Sequence, residues 1–263
     1  MAAFDGTSAL LNYLIGFYAL QIHMPLSGLS RKWRRFSRRI RGKDQQGLQQ
    51  VRLVAVPWRQ LSNGRSVRVF EHRKANGNVR LSELAIINSR AQAVQDGTNI
   101  FEIGTFDGRT SLNLAFSSPP HCQVYTLDLK PEMDTAFDLA EGERHMVDKP
   151  RSGARIDPYR NSDRETASRI HQLYGDSASF DFSPYYDSCS LVFIDASHAY
   201  DYVLSDSREA LKMIKDGGVI LWHDYGIWRG VTDALEHLAV GEIPGIQCIQ
   251  GTSLAYWSKR SNA

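Results

Sequence analysis

Cysteine is scarce in this chain of 263 residues: Cys122, Cys189 and Cys248 are the only three. Their odd number and wide spacing exclude a disulfide scaffold, and the lack of any C-x-x-C or Cys/His cluster excludes a zinc finger. A reducing compartment, the cytoplasm, is the simplest setting, with Cys189 and Cys248 acting as small hydrophobes in or beside strand-like runs. Long apolar runs are scarce as well. The most apolar stretch, residues 9–20 (ALLNYLIGFYAL), reaches the ~20 residues of a membrane helix only by taking in Asn12, Gln21 and His23. Nothing basic precedes it, so it does not read as a secretory signal. Internal repeats and low-complexity tracts are missing too.

What is present begins with a core-forming composition, 42% hydrophobic and 10% aromatic. That excludes wholesale disorder and fits one domain with decorations. The net charge of +2 hides an uneven distribution: residues 31–43 (RKWRRFSRRIRGK) hold eight of the 31 Lys and Arg, and Asp5 is the only acid before residue 44. The body is therefore net acidic, which speaks against a nucleic-acid partner. An apolar run followed by an Arg-rich run, with Trp33 and Phe36 inside it, has the composition of a peripheral membrane segment over residues 9–43. A single span, or a helix packed on the protein's own body or on a twin subunit in a homodimer, has the same composition. If residues 9–43 meet a membrane, the basic side marks its cytoplasmic face.

From Val51 onward short apolar runs alternate with amphipathic stretches. Residues 65–71 and 78–81 read as small strands around a turn at Asn76-Gly77, and Ser82–Val94 has helical spacing with Ser82 as N-cap. Five runs then read as buried parallel strands: 99–103 (NIFEI), 124–127 (VYTL), 170–174 (IHQLY), 191–194 (LVFI) and 219–222 (VILW). Helical patterns at 202–214 and 230–238 lie between or after them. The alternation predicts a doubly wound α/β sheet with ligands at the carboxyl ends of its strands. One long irregular stretch, 130–169, is expected to include a helix and a cover over the site.

The strongest local signal is FEIGTFDGRT, residues 101–110, after a strand and before a helical run. Glycines there let the backbone approach a ligand, with helix N-terminal amides beyond. The spacing Gly104-x-x-x-Gly108 departs from the G-x-G-x-x-G of a dinucleotide site. A nucleoside with a zwitterionic amino-acid tail fits better: Glu102 and Asp107 face an ammonium or sulfonium, Asp128 takes both ribose hydroxyls, and Asp176, followed by Ser177, holds an adenine amino group. A second constellation, Asp195-Ala-Ser-His198 and His223-Asp224, sits at adjacent strand ends. There Asp195 and Asp224 can hold a hard divalent cation, and His198, ordinarily near pH 6.5, can act as general base. Among nearby aromatics, Trp222 reads as core, and Tyr225 or Trp228 as a substrate wall.

Glu102-Ile-Gly104-x-x-x-Gly108, Asp128, Asp176 and the later FIDASHAYDYV and GGVILWHDY resemble the class I S-adenosylmethionine-dependent methyltransferases, in the branch of the macrocin-type sugar O-methyltransferases. The resemblance runs from about Ser82 to Trp257. It implies a seven-stranded Rossmann-like sheet closed by a hairpin of 246–249 and 254–257, with S-adenosyl-L-methionine held by Glu102, Gly104, Thr105, Phe106, Asp107, Gly108, Thr110, Asp128, Asp176, Ser177 and Asp195. Phe106 stands where the family has the middle glycine, and is expected to pack beside the cofactor. In the relatives the acid at 195 and an acidic pair at 223–224 hold magnesium, so the implied metal set is Asp195, His223 and Asp224; an imidazole at 223 suits other divalent cations better than magnesium. The implied catalytic set is His198, Asp195 and His223.

On this reading, 1–43 is a docking segment, 44–81 an entry module and 82–263 the methyltransferase domain with cover 130–169. The acceptor is a hydroxyl of a small molecule, sugar or glycolipid. A nucleotide-linked oxidoreductase and a membrane-docked, non-catalytic scaffold are the alternatives.

Overall fold

The structure, a computed structural model, describes residues 52–71, 77, 79–148 and 151–260. The apolar and Arg-rich segment of 9–43 lies outside the described residues. Eight strands form one sheet: β1 (Val54–Val56), β2 (Asn99–Ile103), β3 (Gln123–Asp128), β4 (Ile170–Tyr174), β5 (Cys189–Ile194), β6 (Ile214–Trp222), β7 (Gln247–Ile249) and β8 (Ala255–Ser258). Their order is β1-β7-β8-β6-β5-β2-β3-β4, and every pairing is parallel except those that β8 makes with β6 and β7.

The sheet corrects the expectation of seven strands. The additional one, β1, pairs parallel with β7 and comes from the stretch expected to be an entry module. Residues 65–71 form no strand; Asn88 Nδ2 donates to Arg68 O (2.7 Å), and Asn113 exchanges two hydrogen bonds with the backbone of Phe70. Those amides supply the partners that a strand neighbour would otherwise give. The first described α-helix, α1 (Leu81–Gln92), starts two residues earlier than an N-cap at Ser82 would place it, with Arg80 as its N-cap. The cause is Glu83, whose carboxylate accepts the Arg80 amide at 2.7 Å.

Side chains of the central strands alternate between two apolar layers, as a sheet covered on both faces requires. Phe101, Ile103, Val192, Ile194, Ile220 and Trp222 face one layer, completed by α6 (Tyr200–Met213) and α7 (Arg229–Val240). Ile100, Val124, Leu191, Phe193 and Leu221 face the other, completed by α1 and α2 (Arg109–Ser117). Between β3 and β4 the long irregular stretch holds three short helices, α3 (Arg144–Val147), α4 (Ile156–Ser162) and α5 (Arg164–Ser168). Among the described residues no helix is long and apolar enough to cross a membrane.

Candidate active site

Because β2 neighbours both β3 and β5, the chain leaves it at the point where strand order reverses, and a crevice opens over the strand ends. A cavity of about 690 Å³ occupies that place. Its floor is the loop after β2. Gly104 has φ 104°, and a Cβ there would lie 2.1 Å from the carbonyl oxygen of Asp195, so only glycine lets this loop lie against the end of β5. Phe106 lines the cavity in a left-handed conformation, φ 49°. Its carbonyl accepts the Gly153 amide and that of Asp107 accepts the Arg155 amide, which fastens the loop to the segment leading into α4.

Thr105, Asp107, Thr110, Asp128, Asp176, Ser177 and Asp195 line the same cavity with Gly104. Asp107 spends one oxygen on Arg155 Nε at 2.6 Å, so its charge is already matched. Asp128 is largely buried at the end of β3, and its Oδ1 accepts the Leu129 amide. Asp176 accepts the Tyr202 hydroxyl at 2.8 Å on Oδ1 and the Ala136 amide at 2.7 Å on Oδ2.

Glu102 is not among the lining residues. Residue 102 follows Ile100 by two along β2 and so faces α2; there it accepts Thr126 Oγ1 at 2.6 Å and Ser111 Oγ. Complete burial outweighs those hydrogen bonds and pushes its carboxyl up to about 8. A neutral, enclosed acid does not meet an ammonium group, which corrects the expectation for Glu102.

The other end of the cavity is built from β5, β6 and the cover. His198 is buried, with Nε2 2.7 Å from Asp224 Oδ2 and Nδ1 2.6 Å from Glu143 Oε1. Trp228 stacks on its ring at 4.3 Å between centroids and 21° between planes. Burial alone would lower the imidazole, but the carboxylates of Asp224 and Glu143 prevail and push it up to about 9. Asp224, with φ 64°, is held well below the usual carboxylate range by His198 and His223 despite burial.

His223 does not line the cavity. Its Nδ1 lies 3.1 Å from Asp195 Oδ1 and 3.3 Å from Asp224 Oδ2, and its Nε2 lies 3.2 Å from both Glu83 Oε2 and Ser253 Oγ. Enclosed by three carboxylates, it is pushed up to about 12 in spite of burial. Both ring nitrogens face these partners and the ring stays outside the cavity lining, which takes His223 out of the expected ligand set. The atoms that do converge, all within 4.8 Å of one another, belong to Asp195, His198 and Asp224, so His198 replaces His223 in the expected ligand set.

Glu143 is the participant that sequence reasoning missed. Six acids lie between Lys130 and Pro150, and nothing local distinguishes the one that folds back onto β5. Trp222 is core, and Tyr225 packs by hydrogen bonds to Glu236 and Leu53 rather than forming a wall, whereas Trp228 lines the cavity.

Residues 101–225 match the model of a family described as a methyltransferase domain. No curated protein matches the sequence. Among solved structures the chain is similar to a Corynebacterium glutamicum protein at 13% identity, covering 97% of this chain and 99% of that one, with a TM-score of 0.53. It is also similar to the O-methyltransferase TomG from Streptomyces achromogenes, at 19% identity over 69% of this chain and 82% of that one, TM-score 0.48. For the O-methyltransferase NovP the figures are 17%, 68%, 80% and 0.49. The matched residues span the loop after β2 and the rim formed by β5 and β6, so the part of the chain that builds the cavity is the part that matches a methyltransferase domain.

Proposed function

We propose that this enzyme moves the methyl group of S-adenosylmethionine to a hydroxyl of a small molecule, sugar or glycolipid. The observation that carries the reading is the His198–Asp224 pair, 2.7 Å apart in the wall of a cavity whose other end offers Asp128 and Asp176 to a nucleoside. In-line attack by an alcohol oxygen forms an O–C bond, breaks the C–S bond of the sulfonium and releases neutral S-adenosylhomocysteine. The hydroxyl proton must leave as attack proceeds, and His198 Nε2 is the acceptor within reach. Asp224 then shares that proton, and Glu143 holds the opposite nitrogen. Trp228 gives the acceptor a flat apolar face of the kind on which sugar rings stack.

His198 is protonated at rest because carboxylates crowd it. The positive sulfonium of the incoming cofactor opposes that proton and favours the basic form. Asp128 holds the ribose and Asp176 with Ser177 the adenine, while Gly104, Thr105, Phe106 and Thr110 shape the floor; Gly108, expected among them, lies outside the lining and packs against Ile156.

The convergence of Asp195, His198 and Asp224 favours a second reading of the same rim. Two carboxylates and an imidazole fit a divalent cation of the transition series better than magnesium. Such an ion would acidify and orient the acceptor hydroxyl when bound. It would occupy the Nε2 lone pair, so ion and base are alternatives at His198.

Around this domain we place residues 9–43 as a peripheral contact with a cytoplasmic membrane face, on composition alone. The test of the central reading is calorimetry with S-adenosylhomocysteine on the full chain and on Asp128→Ala, followed by transfer of labelled methyl to a panel of sugar, glycolipid and phenol hydroxyls. Loss of a charge-assisted hydrogen bond should weaken binding about tenfold or more in the variant. Equal affinity in both proteins refutes the ribose role, and labelling of none of the hydroxyls refutes O-methyl transfer.

A further inference from the structure

The cover segment is fastened at two places that belong to opposite ends of the cavity. At one, the Ala136 amide donates to Asp176 Oδ2 at 2.7 Å, and Phe137 packs edge-on against Tyr202, whose hydroxyl holds the other oxygen of the same carboxylate. At the other, Glu143 Oε1 accepts both the backbone amide (2.7 Å) and Nδ1 (2.6 Å) of His198, and Oε2 accepts Ser197 Oγ and the Ala140 amide, each at 2.9 Å. Glu143 is almost fully enclosed, and every hydrogen bond it makes either fixes the loop after β5 or closes its own turn. Leu139 lies between the two anchors and lines the cavity.

From this geometry we infer that Glu143 is the positioning residue of His198, and that the strap Ala136–Glu143 couples placement of that imidazole to occupancy of the cofactor end at Asp176. The inference rests on the reading of the cavity as a cofactor site for its coupling half alone; the hold of Glu143 on His198 stands on the contacts themselves. With Nδ1 committed to Glu143, only Nε2, which shares a proton with Asp224, is left on the cavity side, so a proton taken from the acceptor has one place to go, the Nε2–Asp224 pair. Trp228 fixes the ring plane and Glu143 its rotation about that plane. A cofactor that settles against Asp176 restrains the Ala136 end of the strap, and seven residues later the same strap carries the carboxylate that sets the base. Any motion that lifts the strap from Asp176 loosens the imidazole with it.

The test uses the full chain labelled with ¹⁵N at histidine, with a His198→Asn variant to assign the ring signal. In the parent protein the Nδ1 proton of His198 should be visible and slow to exchange with water. Glu143→Ala should lose that signal, and Glu143→Gln, which keeps an accepting oxygen, should restore part of it; the glutamine variant also serves if the alanine variant fails to fold. Amide exchange read with S-adenosylhomocysteine completes the test. In the parent, the ligand should slow exchange at both Ala136 and His198 by roughly tenfold, the effect of one hydrogen bond made firmer. In Glu143→Ala it should slow Ala136 only. An unchanged ring signal in both Glu143 variants overturns the positioning role, and equal protection of His198 in parent and variant overturns the coupling. Absence of any S-adenosylhomocysteine effect in the parent refutes the cofactor reading and the coupling together, while the ring signal still decides the positioning role.

Discussion

The Nε2 atom of His198 lies 2.7 Å from Oδ2 of Asp224, a contact that joins the loop after β5 to the loop after β6 across the rim of the cavity. A histidine so placed is no longer an ordinary one. With Glu143 on its other nitrogen it is pushed up to about 9. The ¹⁵N titration of His198 is therefore expected near 9 rather than near 6.5. Saturating S-adenosylmethionine should bring the midpoint down by about a unit or more, because a sulfonium is close by, whereas uncharged S-adenosylhomocysteine should move it much less. A midpoint at the ordinary value, or the same midpoint with both ligands, contradicts the placement of sulfonium beside base.

Gly104 makes a second prediction that needs no acceptor. A Cβ at this position would sit 2.1 Å from the Asp195 carbonyl oxygen, on backbone that cannot give way cheaply, and φ is 104°. Gly104→Ala should destabilise the chain by about 1–3 kcal/mol through overpacking, with further strain from the dihedral. S-adenosylhomocysteine affinity should fall at least tenfold as the loop is driven off the end of β5. Gly142→Ala is the control, with positive φ but open space, and it should cost less and leave affinity alone.

How far these residues could be read in advance depends on whether their role is local. The five parallel runs were legible because strands buried on both faces need continuous apolar stretches, and β2 and β4 keep the bounds read from sequence. Asp128, Asp176 and Asp195 were legible because each closes or follows a strand, and strand ends of such a sheet share one rim. β1 was not legible: three residues carry no periodicity, and its partner β7 is nearly two hundred residues away. Glu102 misled because an acid at a strand's end invites a ligand role, while the face it takes is fixed by the alternation along β2. His223 and Glu143 depend on carboxylates brought together from α1, β5 and the cover, which no spacing encodes.

Glu102 also governs alkaline stability. Its folded carboxyl, raised to about 8, binds a proton more tightly than the unfolded chain does near 4.5. Stability from this group is thus fully present below the unfolded value and is lost as pH rises toward 8. Glu102→Gln, which keeps the shape and cannot ionise, should flatten the fall in melting temperature between pH 5 and pH 8.5. A parallel fall in parent and variant would mean that Glu102 is ionised throughout.

Proton and metal compete for one lone pair at His198. A divalent ion held by Asp195, His198 and Asp224 must displace the Nε2 proton, so manganese affinity should weaken about tenfold for each unit of pH below 9 and binding should release about one proton per ion. Calorimetry in buffers of different ionisation enthalpy counts that proton. Manganese binding that does not vary with pH would place the ion away from His198, and no binding at any pH would leave Asp195 and Asp224 as hydrogen-bonding groups.

The segment of residues 9–43 differs most from the body in composition, and its eight basic side chains follow directly on an apolar run. Each charge near an anionic bilayer contributes up to about 1 kcal/mol, in addition to the burial of Leu10, Leu11, Leu14, Ile15 and Phe17. The full chain should therefore co-sediment with vesicles containing phosphatidylserine, and less so at high salt, where the charges are screened. A chain beginning at Asp44 should stay in the supernatant and still bind S-adenosylhomocysteine, since Val51–Ala263 clusters as a compact unit of its own. A helix that packs on a twin subunit makes the opposite forecast: truncation would change the mass in solution, and neither protein would follow the vesicles. Should the full chain ignore anionic vesicles at low salt, the membrane reading fails and the apolar run is buried against protein.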